Sequence, residues 1–269
     1  FLATICMASI LIRCSEDREH STTSSSKAKA HSLTEELKIF HDLSSLPSFD
    51  TSVSLQISSY DTTWNNDDGF SGRYSFIRRN SDSSLVIFDV KGRGVTTRIW
   101  TPTPTEDTLD FYIDHETRPT FSIKYTDLYS GKRYPFVAPL CGNQLGGFYC
   151  YLPIPFSESC RIESRGKKLQ FHQLQYRLYS DTAPVKSFNP ELTDEEKGAL
   201  KRIADLWSKK DKSPSDFYTE NLTEKVSTVE LHPGEVKEVF SVNQGGRLSG
   251  IELAPPSTFE GTSKNLIIK

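Results

Sequence analysis

Methionine is almost absent from this chain of 269 residues, and tryptophan occurs three times, yet there are sixteen phenylalanines and eleven tyrosines. That imbalance favours pleated, half-buried strands over helices. No apolar run reaches the ~18 residues that a membrane-spanning helix needs. Lys and Arg form no stripe and the net charge is −3, which leaves no footprint for nucleic acid. There is no P-loop, no G-x-S-x-G and no C-x-x-C. The six histidines, among them His115, His172 and His232, share no ligand spacing. The five cysteines (Cys6, Cys14, Cys141, Cys150, Cys160) are an odd number, which argues against a simple disulfide framework. Cys150 and Cys160 lie in apolar, strand-like surroundings and are expected as buried free thiols. With 36% hydrophobic residues, the chain can bury a core.

The chain opens on Phe1 rather than Met, which is expected of a truncated start. Phe1 to Ile12 is apolar and has the length of a signal-peptide core. Arg13 and Cys14 follow, then Ser15-Glu16-Asp17-Arg18-Glu19. A cysteine after such a core resembles a lipoprotein signal, with Cys14 as the lipidated residue, although Arg13 stands where a small residue is usual. An ordinary export signal with an incidental cysteine is the alternative. The acidic stretch resembles signals that send lipoproteins to the surface of some Gram-negative bacteria. The expectation is therefore export to the bacterial outer membrane, cell surface or periplasm on a lipid anchor. Residues His20 to His31 are rich in Ser, Thr, Lys and Ala with no apolar period, so residues 1–31 read as signal and tether.

Ser32 to Leu43 predicts a short helix, with Ser32 and Glu35 as a capping box and Pro47 beyond it. From Val53 to Tyr179, short apolar or alternating runs follow one another: Leu85–Val90, Leu109–Asp114, Phe121–Tyr125, Phe148–Leu152, Cys160–Glu163 and Leu169–Leu178. Turn formers separate them, which reads as an antiparallel β-sandwich or jelly roll over residues 32–185. Thr193 to Trp207 predicts a helix with Thr193 and Glu196 as capping box, inside a connector over 186–217. Strands resume at Val226–Leu231, Val236–Val242 and Leu248–Leu253 with turns at Pro233-Gly234 and Gly245-Gly246. Residues 218–269 then read as the incomplete start of a second jelly roll, ending on the strand-like Leu266-Ile267-Ile268-Lys269.

The densest polar cluster runs from Ser58 to Arg73. It gathers carboxylates, amides, two rings and an arginine, the mixture a sugar site needs for hydroxyl groups and for the C–H face of the ring. Tyr60, Asp61, Trp64, Asn66, Asp67, Asp68 and Arg73 are the candidate binding residues, with Arg98 and Trp100 of the Gly92–Trp100 segment. A loop of turn formers and a core Trp100 are the plain alternatives. The spacing of a calcium loop fails, because Trp64 stands where the first ligand belongs, and no metal is expected. Paired carboxylates cleave glycosides, but spacing alone assigns no acid or nucleophile among Asp61, Asp67 and Asp68.

Four stretches together resemble glycoside hydrolase family 172, a former domain-of-unknown-function family: Ser59–Asp61 through Asn66–Tyr74; the Gly-x-Gly turn into Arg98-Ile99-Trp100; Gly146–Phe156 with Ser159-Cys160; and Gln173–Arg177. The resemblance implies a retaining enzyme on furanosides such as arabinofuranose or fructofuranose units. It further implies tandem jelly rolls, assembly as trimers or hexamers, two catalytic Glu residues, and neither metal nor other cofactor. The family's Gly-Thr-Glu-Asp-Tyr-Phe-like segment has no match here; Phe259-Glu260-Gly261-Thr262 is the nearest string. The catalytic pair is therefore expected beyond Lys269, with a non-catalytic carbohydrate-binding or structural surface lipoprotein as the alternative. Thr62-Thr63-Trp64-Asn65 stands where the family has Arg-Thr-Gly-Gly, which removes a fork donor and adds bulk. Arg93 and Gln144 are smaller departures, where Pro and Glu are common.

Overall fold

The computed structural model describes residues 4–14, 30–45, 52–212, 214–217, 223–232, 234–241, 243 and 246–254. Residues 20–29 of the expected tether His20–His31, with Pro47, Pro233, Val242, Gly245 and the stretch 259–269, lie outside these residues. His31 at its end is not tether, because its backbone bridges Val185 through bonds with Pro184 and Lys186. The chain divides into two compact units, residues 25–211 and residues 1–24 with 212–269.

In chain order the strands are β1 (Thr4–Cys14), β2 (Val53–Ser58), β3 (Arg78–Arg79), β4 (Leu85–Lys91), β5 (Gly94–Thr101), β6 (Thr108–Ile113), β7 (Phe121–Lys124) and β8 (Lys132–Arg133). They continue with β9 (Phe136–Val137), β10 (Cys141–Gln144), β11 (Gly147–Cys150), β12 (Ile154–Phe156), β13 (Ser159–Ser164), β14 (Gln173–Leu178), β15 (Thr223–Leu231) and β16 (Gly246–Ala254). The helices are α1 (Leu33–Lys38), the single turn α2 (Tyr125–Leu128) and α3 (Asp194–Ser208).

The larger unit is an antiparallel β-sandwich, as the alternating runs predict. One sheet has the order β10-β11-β5-β14-β2, with β12 also on β5; the other has the order β3-β4-β13-β6-β7. Period-2 patterning turns Ile99, Cys150 and Leu174 of the first sheet, and Phe88, Phe111 and Ile162 of the second, into one shared core. Phe88 meets Tyr176 edge to face at 5.2 Å, and Phe111 stacks on Phe121 at 4.3 Å. Each fully buried ring of this kind contributes about 1.5–3 kcal/mol. Cys150 and Cys160 are buried and free. The predicted run Leu169–Leu178 forms a strand only from Gln173, because Leu169 to His172 packs beside the loop after β2 instead. The run Phe121–Tyr125 ends at Lys124, where α2 begins.

Ser32 caps α1, its hydroxyl accepting from the Glu35 N–H. Thr193 and Glu196 form the reciprocal capping box of α3: the Thr193 hydroxyl accepts from Glu196 N, and Glu196 Oε2 accepts from Thr193 N at 2.8 Å. The helix read as a connector packs into this unit, with Leu200 and Ile203 in the sandwich core and Trp207 against Phe40 at 5.0 Å.

In the smaller unit, β1 is the central strand, antiparallel to β15 on one side and β16 on the other. The segment read as an export core thus lies as a strand; its apolar, β-branched content serves either conformation. The strand expected over Val236–Val242 does not form, and residues 236–241 have no regular structure. β1, not this segment, takes the place beside β15. Val236 stays 86% exposed, and Lys237 donates to the Glu230 carbonyl at 2.6 Å.

Candidate functional site

β2 is an edge strand, and the chain leaves it at Ser58 into a long loop. The root of the loop is pinned to the segment before β14: Ser59 N donates to the His172 carbonyl at 3.1 Å, and His172 N donates to the Ser59 hydroxyl at 3.2 Å. His172 is buried, and that burial brings its pKa down to about 4, so the ring is neutral at pH 7.

Asp61 organises the loop. It is only 2% exposed. Its Oδ1 accepts from Thr63 N at 2.8 Å and from the Thr63 hydroxyl at 2.6 Å. Its Oδ2 accepts from Asn65 N at 3.1 Å and Asp67 N at 3.0 Å. Burial by itself raises the pKa of this carboxyl; the Thr63 hydroxyl and the three backbone N–H groups outweigh it and hold the value at about 2. Asp68 Oδ1 accepts from Asp61 N at 3.0 Å, and Asp67 accepts from Ser71 N at 2.8 Å and the Ser71 hydroxyl at 2.5 Å. All three carboxylates of the cluster therefore hold the loop's own backbone. Asp61 is placed as an internal acceptor, not as an outward one.

The far half of the loop lies on residues 168–171. A side chain at Gly69 meets the Phe171 backbone nitrogen at 2.8 Å, and one at Gly72, with φ +77°, meets the Leu169 carbonyl at 2.6 Å, so both positions require glycine. Lys168 Nζ and Gln170 Nε2 donate to the Phe70 carbonyl at 3.2 and 3.3 Å. Phe70, largely exposed, sets its ring edge-on to Phe171 at 4.8 Å.

The outer rim is aromatic. Trp64 is 84% exposed and Tyr60 48%, and their rings meet edge to face at 6.1 Å. Trp64 and Asn66 have φ of 65° and 61°. Asn tolerates this left-handed conformation; a bulky exposed ring in it is uncommon. Arg73 is exposed, its guanidinium 5.5 Å from the Tyr74 ring and its N–H donating to the Ser71 hydroxyl at 3.0 Å.

Arg98 and Trp100 stand on the outer face of the first sheet, on either side of the inward Ile99. Gln173 on β14 pairs with Trp100 on one side and Ser58 on the other. Trp100 is thus two strand spacings, about 10 Å, from the strand that delivers Tyr60. Arg98 donates to Gln173 Oε1 at 3.0 Å and lies 5.6 Å from the Trp100 ring centroid. Gln175 donates to Gln56 Oε1 at 3.2 Å. Tyr149 on β11 flanks Trp100, whose indole packs over Gly147. Sequence reasoning missed Gln56, Tyr149, Gln173 and Gln175 as part of this face; the outward phase of the alternating β14 run was the available signal. The side chain of Cys14, at the end of β1, lies outside the described residues.

The combined surface offers two exposed rings, a half-buried indole, a guanidinium and several amides. Such groups bind hydroxyls and the C–H faces of sugar rings. Its three carboxylates each accept from the loop's own backbone. Among the described residues, no group of three or more His, Cys, Asp or Glu is placed to hold a metal.

Residues 50–196 match the family model of the GH172 first beta-sandwich domain, and residues 221–269 match the model described as GH172 domain-like. No curated protein matches the chain. A β-sandwich of this order, matched by one family model across more than half of its length, places the chain in the GH172 family of glycoside hydrolase-related proteins.

Proposed function

We propose that this region is the carbohydrate-binding part of a retaining GH172 glycoside hydrolase that acts on furanosides, arabinofuranose or fructofuranose units. The observation that carries the reading is the exposed Tyr60–Trp64 pair, held out by a loop that the buried Asp61 organises and whose other two carboxylates, half-buried, also accept from the loop's own backbone. An exposed indole in a left-handed conformation is a strained feature that the fold tolerates at a ligand site. The amide, arginine and tryptophan face on β5 and β14 continues the surface toward the sheet. Cleavage then falls to a carboxylate pair elsewhere in the protein, and a purely binding role is the outcome if no such pair acts.

Calorimetric titration with arabinofuranose and fructofuranose oligosaccharides tests the binding. Binding to the wild type and about tenfold weaker binding to Trp64→Ala are expected, a loss of about 1.4 kcal/mol. Equal binding by both proteins, or a preference for pyranose oligosaccharides, overturns it.

Export through Phe1–Ile12, lipidation at Cys14 and assembly as trimers or hexamers belong to the same proposal. Cleavage before Cys14 removes the residues that form β1, so the two roles of this segment exclude each other in one mature molecule. Mass spectrometry of the mature N-terminus separates them, and light scattering on the purified protein gives the assembly.

A further inference from the structure

Cys141 and Cys150 stand apart from the surface described above. They begin β10 and end β11, directly opposite each other in the antiparallel ladder. The hairpin between them turns through Leu145 and Gly146, with φ of 51° and 80°, the two-residue turn whose twist matches that of its strands. Facing residues in such a ladder hold their Cα atoms about 4.5–5.5 Å apart, inside the roughly 4.4–6.8 Å that a disulfide spans. Both side chains point into the core without exposed surface, and the sulfurs are 3.3 Å apart. The third buried thiol, Cys160, lies on β13 of the facing sheet. Two thiols alone do not hold a metal, and among the described residues no third ligand joins them.

We propose that Cys141 and Cys150 form an intramolecular disulfide when the protein folds in an oxidising compartment, stapling the β10–β11 hairpin. The oxidant is a small or protein disulfide of the glutathione class. The thiolate of one cysteine attacks it, a mixed disulfide forms and one thiolate leaves. The second cysteine, as thiolate, attacks its partner's sulfur in that mixed disulfide, the Cys141–Cys150 bond forms, and the second thiolate leaves. Each cysteine sulfur loses one electron, the oxidant's S–S bond takes both, and the two cysteine protons end on the two released thiols.

The hydrogen bond to Cys150, together with burial, pushes the Cys141 thiol far up. Once packed it stays protonated and inert, since the thiolate is the attacking form. Closure therefore belongs to folding, after the hairpin has paired and before the core covers it. The staple also serves the outer face of the sheet. Gly147 sits in the same hairpin, where a Cβ atom meets Trp100 Nε1 at 2.8 Å, so fixing the hairpin fixes the bed of that indole.

The test refolds the reduced, denatured full-length chain in a mixture of reduced and oxidised glutathione, quenches with acid, unfolds, and alkylates the remaining thiols. Chymotrypsin cleaves between the two cysteines at Phe148 and Tyr149, so mass spectrometry reads the linkage directly. The expected result is a peptide pair joined through Cys141 and Cys150, with Cys160 alkylated. The oxidised protein also unfolds at a higher temperature than the same protein refolded with dithiothreitol, and Cys150→Ser abolishes that difference. Should the variant fail to fold, the two wild-type preparations carry the comparison. Alkylation of both Cys141 and Cys150, or a bridge from either to Cys160, overturns the proposal.

Discussion

Asp61 and Asp114 each gather several donors on one carboxylate and lead to different ends. Both carboxylates accept several donors from their own surroundings, and both stand next to non-glycine residues with positive φ: Trp64 and Asn66 near the first, Asp114 itself (56°) and His115 (62°) at the second. Asp114 accepts from Ser157 N, the Ser157 hydroxyl, Glu158 N and Ser159 N at 2.9, 2.8, 2.7 and 3.4 Å, and from the Ser187 hydroxyl. It therefore ties the end of β6 to the β12–β13 turn and to the segment before α3. Asp61 ties only its own loop. The difference teaches that a carboxylate in a polar cluster is not by itself a mark of chemistry. Both are fold hubs, and what distinguishes the Asp61 loop is the ring pair it presents outward.

The comparison breaks most readily at Asp114. Asp114→Ala removes the acceptor for donors from two segments, the β12–β13 turn and the stretch before α3, and is expected to cost about 2–3 kcal/mol of stability, read from urea denaturation. Asp61→Asn is expected to cost less globally. Asn keeps an oxygen for Thr63 but turns an amide donor toward the N–H groups of Asn65 and Asp67. The loop then loosens, which faster proteolysis within residues 60–73 and weaker oligosaccharide binding report. If Asp61→Asn destabilises as much as Asp114→Ala, the loop is part of the core's cooperative unit and the contrast fails.

Acid sharpens the same contrast. For Asp114, burial raises the carboxyl's pKa, but the donors of Ser187, Glu158 and Ser157 outweigh it and hold the value below the usual range. For Asp61 the value is about 2. A depressed carboxylate pKa contributes stability that is fully present above the unfolded value, near 3.9, and lost as pH falls through the folded value. Stability of the wild type therefore declines between about pH 4 and pH 2. That decline is expected to flatten in Asp114→Asn and Asp61→Asn, as measured by denaturation at a series of pH values.

The strands were legible because a continuous apolar run and a period-2 alternation are both local properties: Leu85–Val90 shows the first, Cys160–Glu163 and the outward Gln173 and Gln175 the second, and neither needs knowledge of partners. The α3 cap was legible for the same reason, since Thr193 and Glu196 satisfy each other within one turn. Pairing order was not legible. Nothing in Val236–Val242 announces that β1, more than two hundred residues earlier, takes the place beside β15. The direction of the Asp61 carboxylate was equally hidden, because it depends on where Thr63, Asn65 and Asp67 carry their N–H groups once the loop has closed. Composition identified the cluster, while geometry sorted it into acids engaged by the loop's own backbone and rings that face outward.

The smallest expected effect on stability is also the most discriminating. Trp64 has φ of 65°, a conformation that glycine adopts without steric cost. If Trp64 were a structural residue, Trp64→Gly would destabilise the loop. If its ring is kept for a ligand, Trp64→Gly relieves backbone strain and raises stability by up to about 1 kcal/mol, while oligosaccharide binding falls about tenfold. Opposite signs in the two measurements separate a strained ligand platform from an incidental surface ring. A loss in both assigns the indole to the loop's own packing, against Tyr60.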